Sequence, residues 1–369
     1  MNNLIGSMTN EIQTLDKLQR FDVFSNSITG TFPDALFTLT DLVLIDVEEN
    51  RMTGLGFPDG LFNLESLVSY RISNNFLTGS IPSAEFSSLS ELCQLWAAAN
   101  RLTGPIPEEI ATTGKIESLL LYENILTGTL PETLGGLENL YDLQVYNNTF
   151  QFDIPSTLFS ATKLETLRLD FNFFSGELPT EVGNLVNLKD FRLDRNSIFG
   201  EMPTEVGKLT KLQNFIVNNN FWSGTFPDSL FHIPTIRIAY LSNNTFSGTI
   251  PSSFSDATIL RDLFLDGNDL TGTVPDIVEG QFKNLTEFTL QFNFLTGSMP
   301  ESICDLREDS ELRVLFSDCG GLDPEIECEF PKCCNRCYEG GNDIAIGRRK
   351  LTGSSSESRI PSTSRYAGM

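Results

Sequence analysis

Residues 164–179 read Leu164-Glu165-Thr166-Leu167-Arg168-Leu169-Asp170-Phe171-Asn172-Phe173-Phe174-Ser175-Gly176-Glu177-Leu178-Pro179, and this spacing of leucine, asparagine, glycine and proline recurs along most of the chain. The asparagine slot is filled at Asn2, Asn26, Asn50, Asn75, Asn100, Asn124, Asn148, Asn172, Asn196, Asn220, Asn244, Asn268 and Asn293, at intervals of 24 or 25 residues. Ahead of the asparagine, apolar and variable residues alternate, which is the period of a strand with one buried face. Leu164, Leu167 and Leu169 are therefore expected to point inward, and Thr166, Arg168 and Asp170 outward. After the strand the chain turns and leaves peptide groups inside the coil that no strand neighbour satisfies. An asparagine amide has two donor hydrogens and an acceptor oxygen. A column of them is expected to bond the backbone of its own coil and the next, each lost partner costing about 1–3 kcal/mol.

One unit buries too few apolar side chains to offset the entropy of ordering its backbone, so the units must stack. The consensus L-x-x-L-x-L-x-x-N-x-L-x-G-x-I-P resembles the plant-type subclass of leucine-rich repeat proteins over residues 1–303. The resemblance implies an α/β solenoid, a right-handed superhelix or horseshoe. It would carry a parallel β-sheet on its concave face and short 3₁₀ or helical turns on its convex face. At about 4.8 Å per strand, a dozen coils extend roughly 60 Å. We divide the chain into a solenoid over residues 1–303, a cysteine-rich cap over 304–338 and a Gly/Ser/Arg tail over 339–369 that composition marks as disordered.

Some units depart from the pattern. The chain opens in mid-coil, with neither a secretory leader nor a paired-cysteine cap ahead of Asn2, so a start further upstream is expected. Thr53-Gly54-Leu55-Gly56-Phe57-Pro58 carries one extra residue and should bulge, while Phe152 replaces the usual glycine and should make its coil's back face wider or locally irregular. Segments such as Pro179-Thr180-Glu181-Val182-Gly183-Asn184-Leu185 are long enough only for single helical turns.

A formal charge of −24 argues against nucleic acid as a partner, because phosphate binding relies on clustered lysine and arginine. It also favours a monomer, since like-charged rods repel. No run approaches the roughly 18 apolar residues of a membrane helix. Six of the seven cysteines, Cys304, Cys319, Cys328, Cys333, Cys334 and Cys337, fall together, and only Cys93 lies in the repeats. The group reads as a disulfide-stapled cap whose pairing the spacing leaves open, the rival being a zinc knot of Cys333, Cys334, Cys337 and one more thiolate. The segment from Val314 to Cys337 resembles the cap of secreted repeat proteins of algal, diatom-like lineages. Disulfides imply an oxidising compartment. Sequons at Asn147, Asn243 and Asn284 agree with a secreted or cell-surface glycoprotein.

Catalytic patterns are scarce. With one histidine, His232, a triad or zinc-hydrolase motif has no material, and neither cofactor nor metal is expected. Asp170 and Asp194 fall in one column on neighbouring strands and could mimic a glycosidase pair. Arg168 and Arg192 beside them should hold both ionised, and a surface ion-pair lattice is the better reading.

The outward columns of the inner sheet, four and two places before each asparagine, are more informative. Trp96, Leu120, Tyr122 and Tyr146 are contiguous there and run into Gln144, Arg168, Asp170 and Arg192; Ile216, Tyr240 and Phe264 form a second strip. Aromatic residues and arginines bordering one another on an exposed face are interface anchors. The sequence thus points to a non-enzymatic extracellular module that binds a protein, peptide or glycan on its concave sheet. The runner-up is a structural or adhesive protein, or a fragment of a receptor-kinase ectodomain. An anionic group on the ligand is expected to meet Arg168 and Arg192.

Overall fold

The computed structural model describes residues 3–318 except 84, 279–281, 310 and 311, and beyond them 326, 333, 334, 336–339 and 342–344. Each unit contributes a short strand ahead of its asparagine. From Arg20–Asp22 to Glu287–Thr289 these strands stack in chain order as parallel neighbours of one sheet. Register is kept coil by coil: Leu167 lies opposite Leu143 on one side and Phe191 on the other. The inward side chains build one continuous core from Ile28 to Leu315 in which Leu119, Leu143 and Leu167 are fully buried. The solenoid read from the repeat is the architecture observed.

The asparagine ladder works as its chemistry requires, but it looks backward along the chain. Asn172 accepts a hydrogen bond from Phe150 N–H at 3.1 Å and donates to Val145 C=O at 3.1 Å, both in the preceding coil. It also donates to Leu169 and Asp170 C=O of its own coil at 3.1 and 3.2 Å. Each amide therefore closes its own turn and fastens it to the coil already laid down. The residue just before it adopts positive φ, as at Phe171 (53°) and Arg195 (54°). Beyond the proline, five-residue 3₁₀ pieces such as Thr180–Asn184 line the convex side, and Asp228–Phe231 forms one α-helical turn.

The irregular units resolve in two ways. The extra residue in 53–58 interrupts the outer sheet, which pairs Ser27–Gly30 with Arg51–Met52 but leaves only the single bridge Leu55–Thr78 to the next coil. The displaced Gly56 carbonyl turns inward and is met by the fully buried Tyr70 hydroxyl at 2.6 Å. A tyrosine thus replaces the leucine or phenylalanine typical of that strand position because it brings a donor to an otherwise orphaned carbonyl.

Phe152, by contrast, does not make its coil irregular. Thr149–Asp153 is a continuous outer strand, and Phe152 takes up the glycine conformation itself, with φ of 70°. The strand is paired through Thr149 and Phe150 to the preceding coil and through Gln151, Phe152 and Asp153 to the next, which enforces that strained backbone. Because the ring is 58% exposed, Phe152→Gly forfeits little packing while relieving a conformation that costs a bulky residue about 1–3 kcal/mol. We expect it to stabilise the protein by about 1 kcal/mol in urea denaturation, whereas destabilisation would show the ring to be a packing element.

At the far end, helix Glu301–Asp309 leads into strand Val314–Ser317, which joins the main sheet in parallel. Arg336–Glu339 follows in parallel, and Asn342–Ile344 pairs with it in antiparallel fashion, so strand structure continues past residue 338. The rest of the stretch 339–369 lies outside the described residues. Cys304 is bonded to Cys333 and Cys334 is also in a disulfide, so two thiolates of the alternative zinc knot are spent. Cys93 is free. Cys319 and Cys328 lie outside the described residues, as does the side chain of Cys337.

Candidate functional site

Strand alternation puts three outward positions on each concave strand, and the coil-to-coil register aligns them into columns. The central feature is a stack. The rings of Tyr122 and Tyr146 lie face to face with centroids 4.5 Å apart and planes 5° from parallel, and the Arg168 guanidinium caps Tyr146 at 3.8 Å. Asp170 holds that guanidinium by a fork, with Nη2 at 3.1 Å and Nε at 3.3 Å. A second assembly adjoins: Arg71 lies over the Trp96 ring at 4.1 Å, bonds Gln94 at 2.7 Å and reaches Asp46 at 3.5 Å. The Trp96 indole N–H donates to Ser118 Oγ at 3.0 Å. Aromatic stacking and cation–π contact contribute on the order of 1 kcal/mol each. More important for recognition, they fix the side chains before any ligand arrives. Burial pushes the Tyr146 phenol up to about 12 and also raises Tyr122, so both are neutral donors at physiological pH.

Leu120 and Gln144 fill the column between Trp96 and Arg168, half-buried, with Gln144 Nε2 on Asp142 at 2.9 Å. The expected link between Arg192 and the aspartates two places along is absent. Its Nε lies 3.0 and 3.1 Å from the two carboxylate oxygens of Asp190, on the other side along the same strand. Asp190, Asp142, Gln94 and Ser118 belong to a third outward column, six places before each asparagine. Apart from Thr166 that column was not read from the sequence, although one further step of the same alternation identifies it.

The expectation that Arg192 holds Asp194 firmly ionised is overturned, while Asp170 keeps its ion pair with Arg168. Burial raises both carboxyls, and it outweighs Arg168 at Asp170. Asp194, 8% exposed, is lifted to about 7 by burial first and then by Asp170, with Arg192 and Arg195 opposing. Beside it, Oδ1 of Asn218 is buried without a donor among the described residues.

The second apolar strip is also real: Tyr240 and Phe264 stack at 4.3 Å and 4°, next to buried Ile216. His232 sits on the convex side, 3.1 Å from Asp256, both exposed. Asn147, Asn243 and Asn284 are exposed. Among the described residues no cluster of His, Cys, Asp or Glu is arranged to hold a metal, and no helix is long and apolar enough to cross a membrane.

The leucine rich repeat family profile matches residues 163–185, 235–257 and 284–306. This chain folds as a leucine-rich repeat solenoid. Among solved structures it is similar to the plant peptide hormone receptor RGFR1 in complex with RGF2, with 30% identity and a TM-score of 0.81 over 86% of this chain and 51% of that one. It is similar to the leucine-rich repeat ectodomain of the Arabidopsis receptor kinase HAESA, bound to an N-terminally extended IDA peptide hormone ligand. There the identity is 26% and the TM-score 0.73, over 90% of this chain and 66% of that one. A Leptospira interrogans leucine-rich repeat protein matches at 29% identity and a TM-score of 0.67, over 83% of this chain and 74% of its own. The solenoid thus spans from about half to two thirds of the plant ectodomains. No curated protein matches the chain.

Proposed function

We propose that this leucine-rich repeat protein is an extracellular or cell-surface recognition module, without catalysis of its own, that binds a peptide or protein segment across the concave strands between Trp96 and Arg192. The observation that carries this reading is the pre-assembled array of Trp96, Tyr122, Tyr146 and Arg168 on an outward sheet face. A strand surface with no partner needs no stacked, cross-braced aromatic residues, whereas a binding surface gains from them because their ordering entropy is already spent. The peptide complexes of RGFR1 and HAESA support a peptide as the ligand class. The Cys304–Cys333 bridge and the exposed sequons at Asn147, Asn243 and Asn284 support an oxidising, glycosylating route.

The test uses a random-peptide library displayed on phage and selected on the immobilised protein. Trp96→Ala and Tyr146→Ala are each expected to weaken the selected peptides about thirtyfold, with the thermal unfolding midpoint lowered by only about 2–4 °C because neither ring belongs to the core. Ile216→Ala and Phe264→Ala should bind like the parent, and the reverse pattern would move the site to the second strip. An adhesive role without a discrete ligand draws on another surface. Phe152, Phe173, Phe199 and Phe221 are all exposed on the outer strands, with Phe199 paired opposite Phe221. That role predicts no selected peptide that depends on Trp96.

A further inference from the structure

The array described above ends at an acceptor-rich position that no side chain among the described residues satisfies. Asp194 follows Arg192 on its strand and neighbours Asp170 and Asn218 across the sheet, as the register of Asp190–Arg192 with Thr166–Arg168 and Asn214–Ile216 requires. Asp170 is committed to Arg168, and Arg192 is committed to Asp190. Asp194 is therefore left more than nine-tenths buried with no side-chain hydrogen bond or ion pair among the described residues; its own backbone amide bonds it, and Arg192 and Arg195 act on it only at longer range. The next outward residue in the column, Asn218, carries a buried Oδ1 with no donor among the described residues. Two neighbouring acceptors that no side chain serves, on a surface built for contact, call for a group that carries only donors. In the strands holding residues 142–218, the outward columns contain four carboxylates (Asp142, Asp170, Asp190, Asp194) and two guanidinium groups (Arg168, Arg192), so the local balance is acidic.

We propose that Asp194 and Asn218 form a cation subsite that receives the ammonium or guanidinium of a lysine or arginine in the bound peptide. The inference rests on the concave-face reading and replaces the anionic ligand group expected from Arg168 and Arg192, both of which are internally neutralised. Spacing follows from the stack. Tyr146 and Asp194 are two strands apart, about 10 Å, which an extended peptide covers in about three residues. The basic residue should therefore stand about three positions from the side chain that rests on Tyr146.

The probes are the phage-selected peptides themselves, resynthesised and measured by titration. Peptides that depend on Trp96 and Tyr146 should share a lysine or arginine. Its replacement by norleucine and the protein change Asp194→Asn should each lower affinity about tenfold or more, and the two changes together should cost little more than either alone. Asp256→Asn, on the convex side, should have no effect. Peptides that need Trp96 and Tyr146 but lack a common basic residue, or that bind Asp194→Asn undiminished, overturn the cation subsite and leave the concave-face reading standing. A library that yields no binder sensitive to Trp96 or Tyr146 overturns both.

Discussion

Asn172→Ala should be among the most damaging single substitutions in the solenoid, lowering stability by on the order of 3–5 kcal/mol. The amide serves Phe150 N–H and Val145 C=O of one coil and Leu169 and Asp170 C=O of the next. Asn172 is itself buried, so water has poor access to the groups it leaves behind. Phe150 N–H loses that partner outright, at about 1–3 kcal/mol. Val145, Leu169 and Asp170 C=O keep a second donor in Asn148, Asn196 and Asn147 N–H, so each forfeits one bond at about 0.5–1.5 kcal/mol. Because coils are held chiefly by their neighbours, the damage should spread from the break rather than remain local. Hydrogen exchange of Phe150 and of the strand Thr166–Arg168 should accelerate markedly, while that of Arg20–Asp22 should change little. A variant within about 1 kcal/mol of the parent would mean that the ladder is ornamental and the leucine core alone holds the coils together.

Asp194→Asn should act in the opposite direction. Asp194 has a folded-state pKa of about 7 against an ordinary 3.8, chiefly through burial. The folded protein therefore keeps a proton that the unfolded chain releases, so stability falls as pH rises from about 4 through about 7 and the penalty is complete above that. The neutral isostere escapes this cost. At about pH 8 it should gain on the order of 2–4 kcal/mol in urea denaturation, and the gain should vanish below about pH 3, where aspartate is neutral in both states. An equal gain at both ends of the range would assign the effect to packing, and a loss at high pH would show that the carboxylate has a protein partner. The parent thus bears a cost in stability for a buried charge, as binding sites commonly do.

The repeat was legible because each of its positions has a separate physical job. Alternation told the inward leucines from the outward residues, the asparagine column met the turn's backbone, and the proline marked the return path. Stacked strands in register follow from that pattern alone, since a slip of one residue would turn every leucine to solvent. The outward columns were legible to the extent that periodicity named their members. Trp96, Tyr122, Tyr146 and Arg168 do come together, because neighbours in a column are neighbours in space.

What periodicity could not give was the choice of partner within the face. Arg192 could reach either aspartate of its strand and takes Asp190; Arg168 forks onto Asp170 and stacks on Tyr146. Those choices leave Asp194 alone, and burial then overrules the neighbouring arginines and raises its carboxyl. Likewise Phe152 was expected to make its coil irregular, yet strand pairing holds it in the glycine conformation. By itself the sequence determined the coil, its register and the membership of each column, because these depend on spacing along the chain. Only the tertiary structure decided which polar groups pair, which stay unpaired and how strongly each is desolvated, because those depend on side-chain reach and enclosure across coils some 24 residues apart.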